Sequence, residues 1–332
     1  MSGGLLEVQD LKVHFAPPRR LLGRTAPPVR AVDGVSFSLE RGRTLALVGE
    51  SGCGKSTTGF AVLRLVQATA GRILCDGVDI ATLPRAELLP FRRRMQIIFQ
   101  DAAASLNPRM PVADLIAEAL EIHLLARGAA RPKRVRQLLD LVGIPQRMLE
   151  RYPHELSGGQ AQRIAICRAL AVEPELIVCD EPVSALDVSI QAQIINLLQD
   201  LQAGLGLSYL FISHDLSVVR QVSDSVAVMY LGRIVEQAPT REVFANPAHP
   251  YTRALLSAAP VPDPEIERKR ERIVLQGDLP SPSDPPSGCR FRTRCPIALP
   301  RCAEMLPPEI EVGSGHRAAC IRIPAVAGAL TP

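Results

Sequence analysis

Thr44-Leu45-Ala46-Leu47-Val48 runs straight into Gly49-Glu50-Ser51-Gly52-Cys53-Gly54-Lys55-Ser56. The first five residues form a continuous apolar run, the pattern of a strand buried on both faces of a parallel sheet. The next eight match G-x-x-x-x-G-K-[ST]. Glycine at 49, 52 and 54 lets the backbone turn tightly, so that the N–H groups of the loop, Glu50, Ser51 and Cys53 included, converge on phosphate oxygens. A helix starting near Lys55 adds the positive end of its dipole. Lys55 is expected to reach the β- and γ-phosphates of a nucleotide, and the Ser56 hydroxyl to sit on Mg²⁺ with Thr57 beside it. The rival reading is a glycine-rich turn with no ligand. The preceding strand and following helix weigh against it. Cys53 reads as a small filler.

Two further apolar runs end at polar residues. Leu176-Ile177-Val178-Cys179 reaches Asp180-Glu181, and Tyr209-Leu210-Phe211-Ile212 reaches Ser213-His214. In open α/β sheets ligands bind at the carboxyl ends of the strands. Aspartate at such an end can hold Mg²⁺ through water, and a second carboxylate can polarise an attacking water. An acidic pair after a strand says little alone; the phosphate loop upstream gives it meaning. His214 is a candidate γ-phosphate contact, although a lone histidine is more often structural. Helical patterns over Ser157–Ala171 and Ser189–Ala203 alternate with the strands and argue an α/β layer fold. Residues 101 to about 160 differ: Pro111–Ala126 and Pro132–Leu141 look helical, with proline near each start, and a helical insertion is predicted.

The chain has 332 residues, 47% hydrophobic and 22% charged, an ordinary globular composition. A net charge of +4 is too mild for a nucleic-acid partner, which needs a clustered basic face. The absence of Trp and 4% aromatics argue against a stacking platform for single strands. No run approaches the roughly 18 apolar residues of a membrane span, and Met1–Asp10 shows no basic-then-apolar leader; a cytosolic protein is expected. Residues 16–30, Arg92–Arg94 and Glu267–Arg272 read as solvated, charge-rich surface.

Cysteines and prolines are uneven. Cys53, Cys75, Cys167 and Cys179 are scattered, whereas Cys289, Cys295, Cys302 and Cys320 fall in the last 50 residues, and 16 of 29 prolines lie in 236–332. This predicts a regular body and a loop-rich tail. In a reducing compartment four grouped thiols read as a metal or cluster site before disulfides. The spacing C-x5-C-x6-C-x17-C has no C-x2-C pair, unlike common zinc fingers. Zinc, an iron–sulfur cluster and four free thiols all remain open. His316 near Cys320 is a possible replacement ligand that four cysteines make unnecessary. One such site would staple a tail with little core of its own.

Leu156-Ser157-Gly158-Gly159-Gln160 opens a helix with Ser157 at its cap and forms a second anion site at a helix N-terminus. One ATP does not need two such sites from one chain at this separation, so a head-to-tail dimer follows. This segment resembles the signature of ABC ATPases, and the likeness runs from end to end: Gln100 matches the Q-loop, Ser184-Ala185-Leu186-Asp187 the D-loop and His214 the switch histidine. The resemblance implies an α/β, RecA-like P-loop NTPase fold, with a nucleotide-binding domain over 1–240, a helical subdomain over about 101–163, and a Cys/Pro-rich C-terminal extension over 241–332. It implies Glu181 as catalytic base, Gln100 and Asp180 assisting Mg²⁺ and water, and Phe15 stacking on adenine. Ser157, Gly158, Gly159 and Gln160 would act on the partner's ATP, with Asp187 also at the nucleotide.

A narrower likeness is to the oligopeptide/dipeptide importer ATPases. It rests on Gln100-Asp101 through Ala104-Ser105-Leu106-Asn107-Pro108-Arg109, on Ala185-Leu186-Asp187-Val188-Ser189-Ile190-Gln191-Ala192-Gln193, and on the tail segments Asn246-Pro247, His249-Pro250-Tyr251-Thr252, Pro285-Pro286-Ser287-Gly288-Cys289 and Arg294-Cys295-Pro296. It implies the second ATPase of a heterodimeric pair, peripheral on the cytoplasmic face, with two permeases, an extracellular substrate-binding protein and a [4Fe–4S] cluster on the tail. Ala161 stands where a basic residue usually follows the signature glutamine, and Ala102 and Ala103 replace a common proline and aromatic. Rival readings are an importer for a non-peptide solute, a soluble ABC ATPase of DNA repair or translation, and a vestigial binding module. The second would need a coiled coil or tandem nucleotide domains; intact Lys55, Glu181 and His214 oppose the third.

Overall fold

The structure, a computed structural model, describes residues 4–16, 27–125, 128, 130–259 and 272–323. Most of the basic 16–30 stretch and residues 267–271 lie outside the described residues. In chain order it runs β1 (Leu6–Phe15), β2 (Val29–Leu39), β3 (Thr44–Val48), α1 (Lys55–Val62), β4 (Ala70–Cys75), β5 (Val78–Asp79), α2 (Arg85–Arg94), β6 (Met95–Ile98), α3 (Ala102–Ser105), α4 (Val112–Ile122), α5 (Ala130–Leu141), α6 (Gly158–Leu170), β7 (Leu176–Asp180), α7 (Val188–Leu205), β8 (Ser208–Ser213), α8 (Leu216–Val222), β9 (Ser225–Tyr230), β10 (Arg233–Pro239), α9 (Thr240–Ala245), α10 (Pro250–Ala258), β11 (Ile310–Gly313) and β12 (His316–Ala318). Two compact units result: Met1–Ser38 with Leu45–Ala81 and His214–Pro332, and Leu39–Thr44 with Thr82–Ser213.

The first unit holds an antiparallel sheet in the order β2-β1-β4-β5. Leu6, Val8, Leu11 and Val13 of β1 are all buried, although the first pair is even-numbered and the second odd. A bulge between Gln9 and Lys12, with Asp10 at φ +44°, resets the alternation and keeps one face apolar. In the same unit β3 runs parallel to β9, which pairs antiparallel with β10. The tail continues this sheet, for β12 pairs with β10 and β11 with β12. The tail is therefore less irregular than its proline content suggested.

In the second unit β6, β7 and β8 are parallel neighbours, with Met95 opposite Leu176 and Leu176 opposite Ser208. Every residue of β7 and β8 is buried, as continuous apolar runs require. Among the described residues of 101–160 there are helices and turns and no strand. Val112, Leu115, Ile116 and Leu120 form the buried stripe of α4, which starts just after Pro111. The short α3 was not foreseen; Asp101 caps it by accepting the Ala104 N–H at 2.9 Å.

Arg92–Arg94 correct the surface reading. All three are half-buried. Arg93 donates to the Val172 carbonyl at 3.2 Å, and Arg94 forks onto Glu175 with Nε–Oε1 at 2.5 Å and Nη2–Oε2 at 3.0 Å. Arg41 closes on the same carboxylate. Hydrogen bonds from Arg94 first, then from Arg41, outweigh partial burial and hold Glu175 down at about 2, against 4.5 for a free side chain. A carboxylate with a depressed folded-state value contributes stability that is full above the unfolded value and lost as pH falls through the folded one. Because Glu175 is 37% exposed, screening limits its contribution. Glu175→Gln is expected to lower the apparent Tm at pH 7 by about 2 °C. In melts taken across pH this gap closes between pH 4.5 and about 2; a gap independent of pH would show that shape rather than charge holds the junction.

Candidate active site

Residues 49–56 form a loop that side chains could not make. Gly49 (φ +151°) passes so close to β9 that a Cβ would lie 2.1 Å from the Met229 carbonyl oxygen. Gly54 (φ +107°) would put one 2.1 Å from the Ala31 carbonyl of β2. Glycine alone meets both demands. The loop is tied by Gly232, whose N–H donates to the Cys53 carbonyl at 2.8 Å, and by Tyr251, whose hydroxyl accepts the Glu50 N–H at 2.9 Å. Gly54 begins α1, and Lys55, only 5% exposed, donates its ammonium to the carbonyls of Gly49 and Glu50 at 2.8 and 3.0 Å. Ser56 and Thr57 are half-buried in the first turn. Burial pushes the Cys53 thiol up despite the nearby Lys55 charge, which keeps it protonated and fits a filler.

Phe15, the last residue of β1, is 44% exposed. His14 beside it bonds Asp33 at 2.9 Å. His214 follows β8 and is exposed. One contact escaped the sequence: Arg294 of the tail donates to Glu50 in the loop, Nη1–Oε2 2.7 Å. An arginine beside a cysteine carries no signal of so distant a partner.

In the second unit β7 ends on Asp180, 5% exposed. Glu181 turns sharply in the left-handed region (φ +48°), its N–H donating to the Ile212 carbonyl at 3.0 Å. Gln100 Nε2 donates to Glu181 Oε2 at 3.1 Å, so two residues 81 positions apart meet. Ser157 caps α6: it accepts the Gln160 N–H at 3.3 Å, while Gln160 Oε1 accepts the Ser157 N–H at 2.9 Å, a reciprocal capping box. Asp187 caps α7, accepting from the Ile190 N–H at 3.0 Å and the Ser189 hydroxyl at 2.7 Å. The Ile190 bond first, then the Ser189 bond, holds its carboxyl below the usual range. Gly158 and Gly159 lie against Leu186 and Ile190; a Cβ on Gly159 would meet Ile190 Cγ2 at 2.6 Å. Ala161 and Ala102 are buried, so those departures fall inside the packing, while Ala103 is exposed.

Cys289, Cys295, Cys302 and Cys320 line one cavity of about 20 Å³. Backbone N–H groups of Phe291, Ile297 and Leu299 point at the sulfurs of Cys289, Cys295 and Cys302, the last at 3.4 Å. Burial pushes the Cys289 and Cys295 thiols up. Among the described residues no group of three or more His, Cys, Asp or Glu side chains is gathered so as to hold a metal ion. His316 is committed to a buried pair with Glu236 at 2.7 Å and does not line the cavity.

A loop of this geometry ahead of a helix, with a strand-terminal Asp-Glu pair, defines a P-loop NTPase. The family model "ABC transporter" matches residues 32–184, and "Oligopeptide/dipeptide transporter, C-terminal region" matches 235–302. A Brucella ovis protein assigned by name to peptide import as an ATP-binding protein is 54% identical over 318 residues, 96% of this chain and 98% of its own. The oligopeptide transport ATP-binding protein AppF of Bacillus subtilis is 52% identical over 317 residues, 95% and 96% of the two chains. The ATP-binding cassette MJ0796, solved as a post-hydrolysis dimer with ADP and Pi, superposes with TM-score 0.62 at 26% identity, covering 71% of this chain and 99% of that one. CbiO1 of Clostridium perfringens gives 0.63 at 29%, covering 73% and 91%. The chain belongs to the ABC transporter ATPases, among the ATP-binding proteins of peptide importers.

Gly159→Ala is expected to destabilise by about 1 kcal/mol, the low end for overpacking, because the β-branched Ile190 cannot swing away freely. Ile190→Ala removes the obstructing methyl, and the double variant recovers most of the lost Tm; no recovery would mean that the glycine serves backbone freedom instead.

Proposed function

We propose that this chain hydrolyses ATP to power the import of peptides through a membrane channel built by other subunits. The observation that carries the reading is the glycine-forced phosphate loop with Lys55 folded over it, in a chain whose tail matches the oligopeptide/dipeptide transporter region. Lys55 and the loop N–H groups between Gly49 and Ser56 would hold the β- and γ-phosphates, except that of Glu50, which the sequence reading counted among them and which the Tyr251 hydroxyl occupies. Ser56 and Asp180 would hold Mg²⁺ with Thr57 alongside, and Phe15 would stack on adenine. Glu181 takes a proton from water as its oxygen attacks the γ-phosphorus; the bond to the bridging oxygen breaks, and ADP and phosphate leave. Gln100 steadies Glu181, a role supported by their hydrogen bond, and joins Asp180 at Mg²⁺ and water; His214 stabilises charge on the γ-phosphate. The work is positioning and charge stabilisation. Ser157, Gly158, Gly159 and Gln160, with Asp187 nearby, close on the ATP of a second ATPase.

Residues 1–240 act as the nucleotide-binding domain, with its helical subdomain over about 101–163, and 241–332 as the Cys/Pro-rich extension. None of the described helices is long and apolar enough to cross a membrane, so transport needs partners: two permeases, a second ATPase in a heterodimer, and an extracellular binding protein that chooses the peptide. The chain would sit on the cytoplasmic face. MJ0796, a dimer with ADP and Pi, and CbiO1, part of an ABC transporter complex, support such an assembly.

From the family resemblance we infer that the four tail cysteines hold a [4Fe–4S] cluster, with one zinc ion as the alternative; the described thiols are not gathered around a metal ion, and the cavity they line is about 20 Å³. N–H groups aimed at three of the sulfurs suit cluster thiolates. When bound, the group would cross-link the tail.

Glu181→Gln should bind MgATP like the parent, lose turnover by about 100-fold or more, and accumulate as a closed dimer on size exclusion; unchanged turnover refutes the base assignment. Cys295→Ser, purified without oxygen, should lose most of its iron by metal analysis, and full retention counts against Cys295 as a ligand.

A further inference from the structure

Cys289-Arg290-Phe291-Arg292-Thr293-Arg294-Cys295 begins and ends on cysteines of the tail cavity, and two arginines between them reach elsewhere. Arg294, 11% exposed, pairs with Glu50 inside the phosphate loop at 2.7 Å. Arg290, 7% exposed, pairs with Asp33 of β2 and bonds the Leu231 carbonyl. The other oxygen of Asp33 bonds His14, the residue before Phe15. Asp33 N–H also donates to the Gly232 carbonyl at 2.8 Å, and Gly232 N–H donates to the Cys53 carbonyl of the loop. Phe291, 1% exposed, wedges between the arginines, its ring 5.2 Å from Tyr230 and 5.4 Å from Tyr251, whose hydroxyl holds the Glu50 N–H. One seven-residue segment thus grips the loop through Glu50 and β2 through Asp33, and Asp33 in turn bonds His14, the neighbour of the exposed Phe15.

Glu50 is the only carboxylate in the phosphate loop. A free negative charge there would repel the phosphates of ATP, and at so short a range a facing guanidinium cancels most of that field. A largely buried ion pair adds little stability, because desolvation offsets its attraction, yet it fixes geometry closely. We propose that Arg290 and Arg294 are positioning residues for this chain's own ATP, and that the state of the four-cysteine cavity sets ATP affinity through the segment between Cys289 and Cys295. The proposal rests on the nucleotide reading above and adds the tail to that site.

Full-length variants test it. Arg294→Gln should raise the KM and Kd for MgATP about tenfold, or 1.4 kcal/mol, with kcat within about twofold. Arg294→Lys, which keeps the charge, should stay near the parent. Glu50→Gln should suppress most of the Arg294→Gln defect, a rescue that mere loss of folding would not show. If the segment couples the two sites, MgATP should steady it and slow alkylation of Cys289 and Cys295 by N-ethylmaleimide, followed peptide by peptide, and should not do so in Arg290→Gln/Arg294→Gln. Lys55→Ala separates the two readings. If the parent binds MgATP and Lys55→Ala does not, while Arg294→Gln matches the parent within about twofold, the arginine proposal is overturned and the nucleotide site stands. Alkylation indifferent to MgATP overturns the coupling to the cysteines. A parent that binds no MgATP removes the nucleotide reading itself.

Discussion

The main chain of the phosphate loop must press against two neighbouring carbonyls, Ala31 O and Met229 O, at a distance no Cβ tolerates. That squeeze fixes the path of the loop's main chain into the first turn of α1. It also explains why so much of the surrounding unit is built as a frame. β2 supplies one wall and β9 the other, the turn residue Gly232 ties down Cys53, and Tyr251 of α10 ties down Glu50. The ammonium of Lys55, nearly removed from water, is satisfied by two loop carbonyls, as a buried cation must be.

The second unit relies on a different economy. The residues proposed to act on nucleotide double as structural terminators. Ser157 and Gln160 close a capping box, Asp187 caps α7, and Glu181 sits in a left-handed turn fastened to the Ile212 carbonyl. Such residues are held by hydrogen bonds to the main chain rather than by side-chain packing, so they stay fixed while exposed, as Ser157 and Asp187 are, or half-buried, as Gln160 and Glu181 are. The Gln100–Glu181 bond is the exception: it joins two separate loops through side chains alone.

Much of this was readable in the chain. The apolar runs over Thr44–Val48, Leu176–Cys179 and Tyr209–Ile212 became strands because burial on both faces leaves no polar position to confuse the pattern. The glycine spacing and the Ser157 cap are local rules, and local rules survive folding. The β2-β1-β4-β5 sheet was missed because its strands alternate and the bulge at Asp10 breaks the period. β11 and β12 were missed because strands of four and three residues exist only by pairing, β12 with β10 and β11 with β12. Arg94 misled more deeply, and Arg290 and Arg294 gave no signal of their partners. A charged residue reads as surface until its carboxylate is known, and here those partners lie 81, 257 and 244 positions away.

The tail shows what such distant pairing accomplishes. Its two short strands and its 3₁₀ turn at Pro300–Ala303 have no core between them. Among the described residues beyond α10 its large fully buried side chain is Phe291, set in a cluster with Tyr230, Val235 and Tyr251, the last from α10 of the extension itself. A segment so poor in apolar surface cannot offset its own ordering entropy. It is held by what it borrows: the edge of β10, one aromatic pocket, and ion pairs to Asp33 and Glu50. Both carboxylates belong to the frame of the phosphate loop. The tail therefore cannot be ordered without touching that frame, nor the frame left in its present charge balance without the tail.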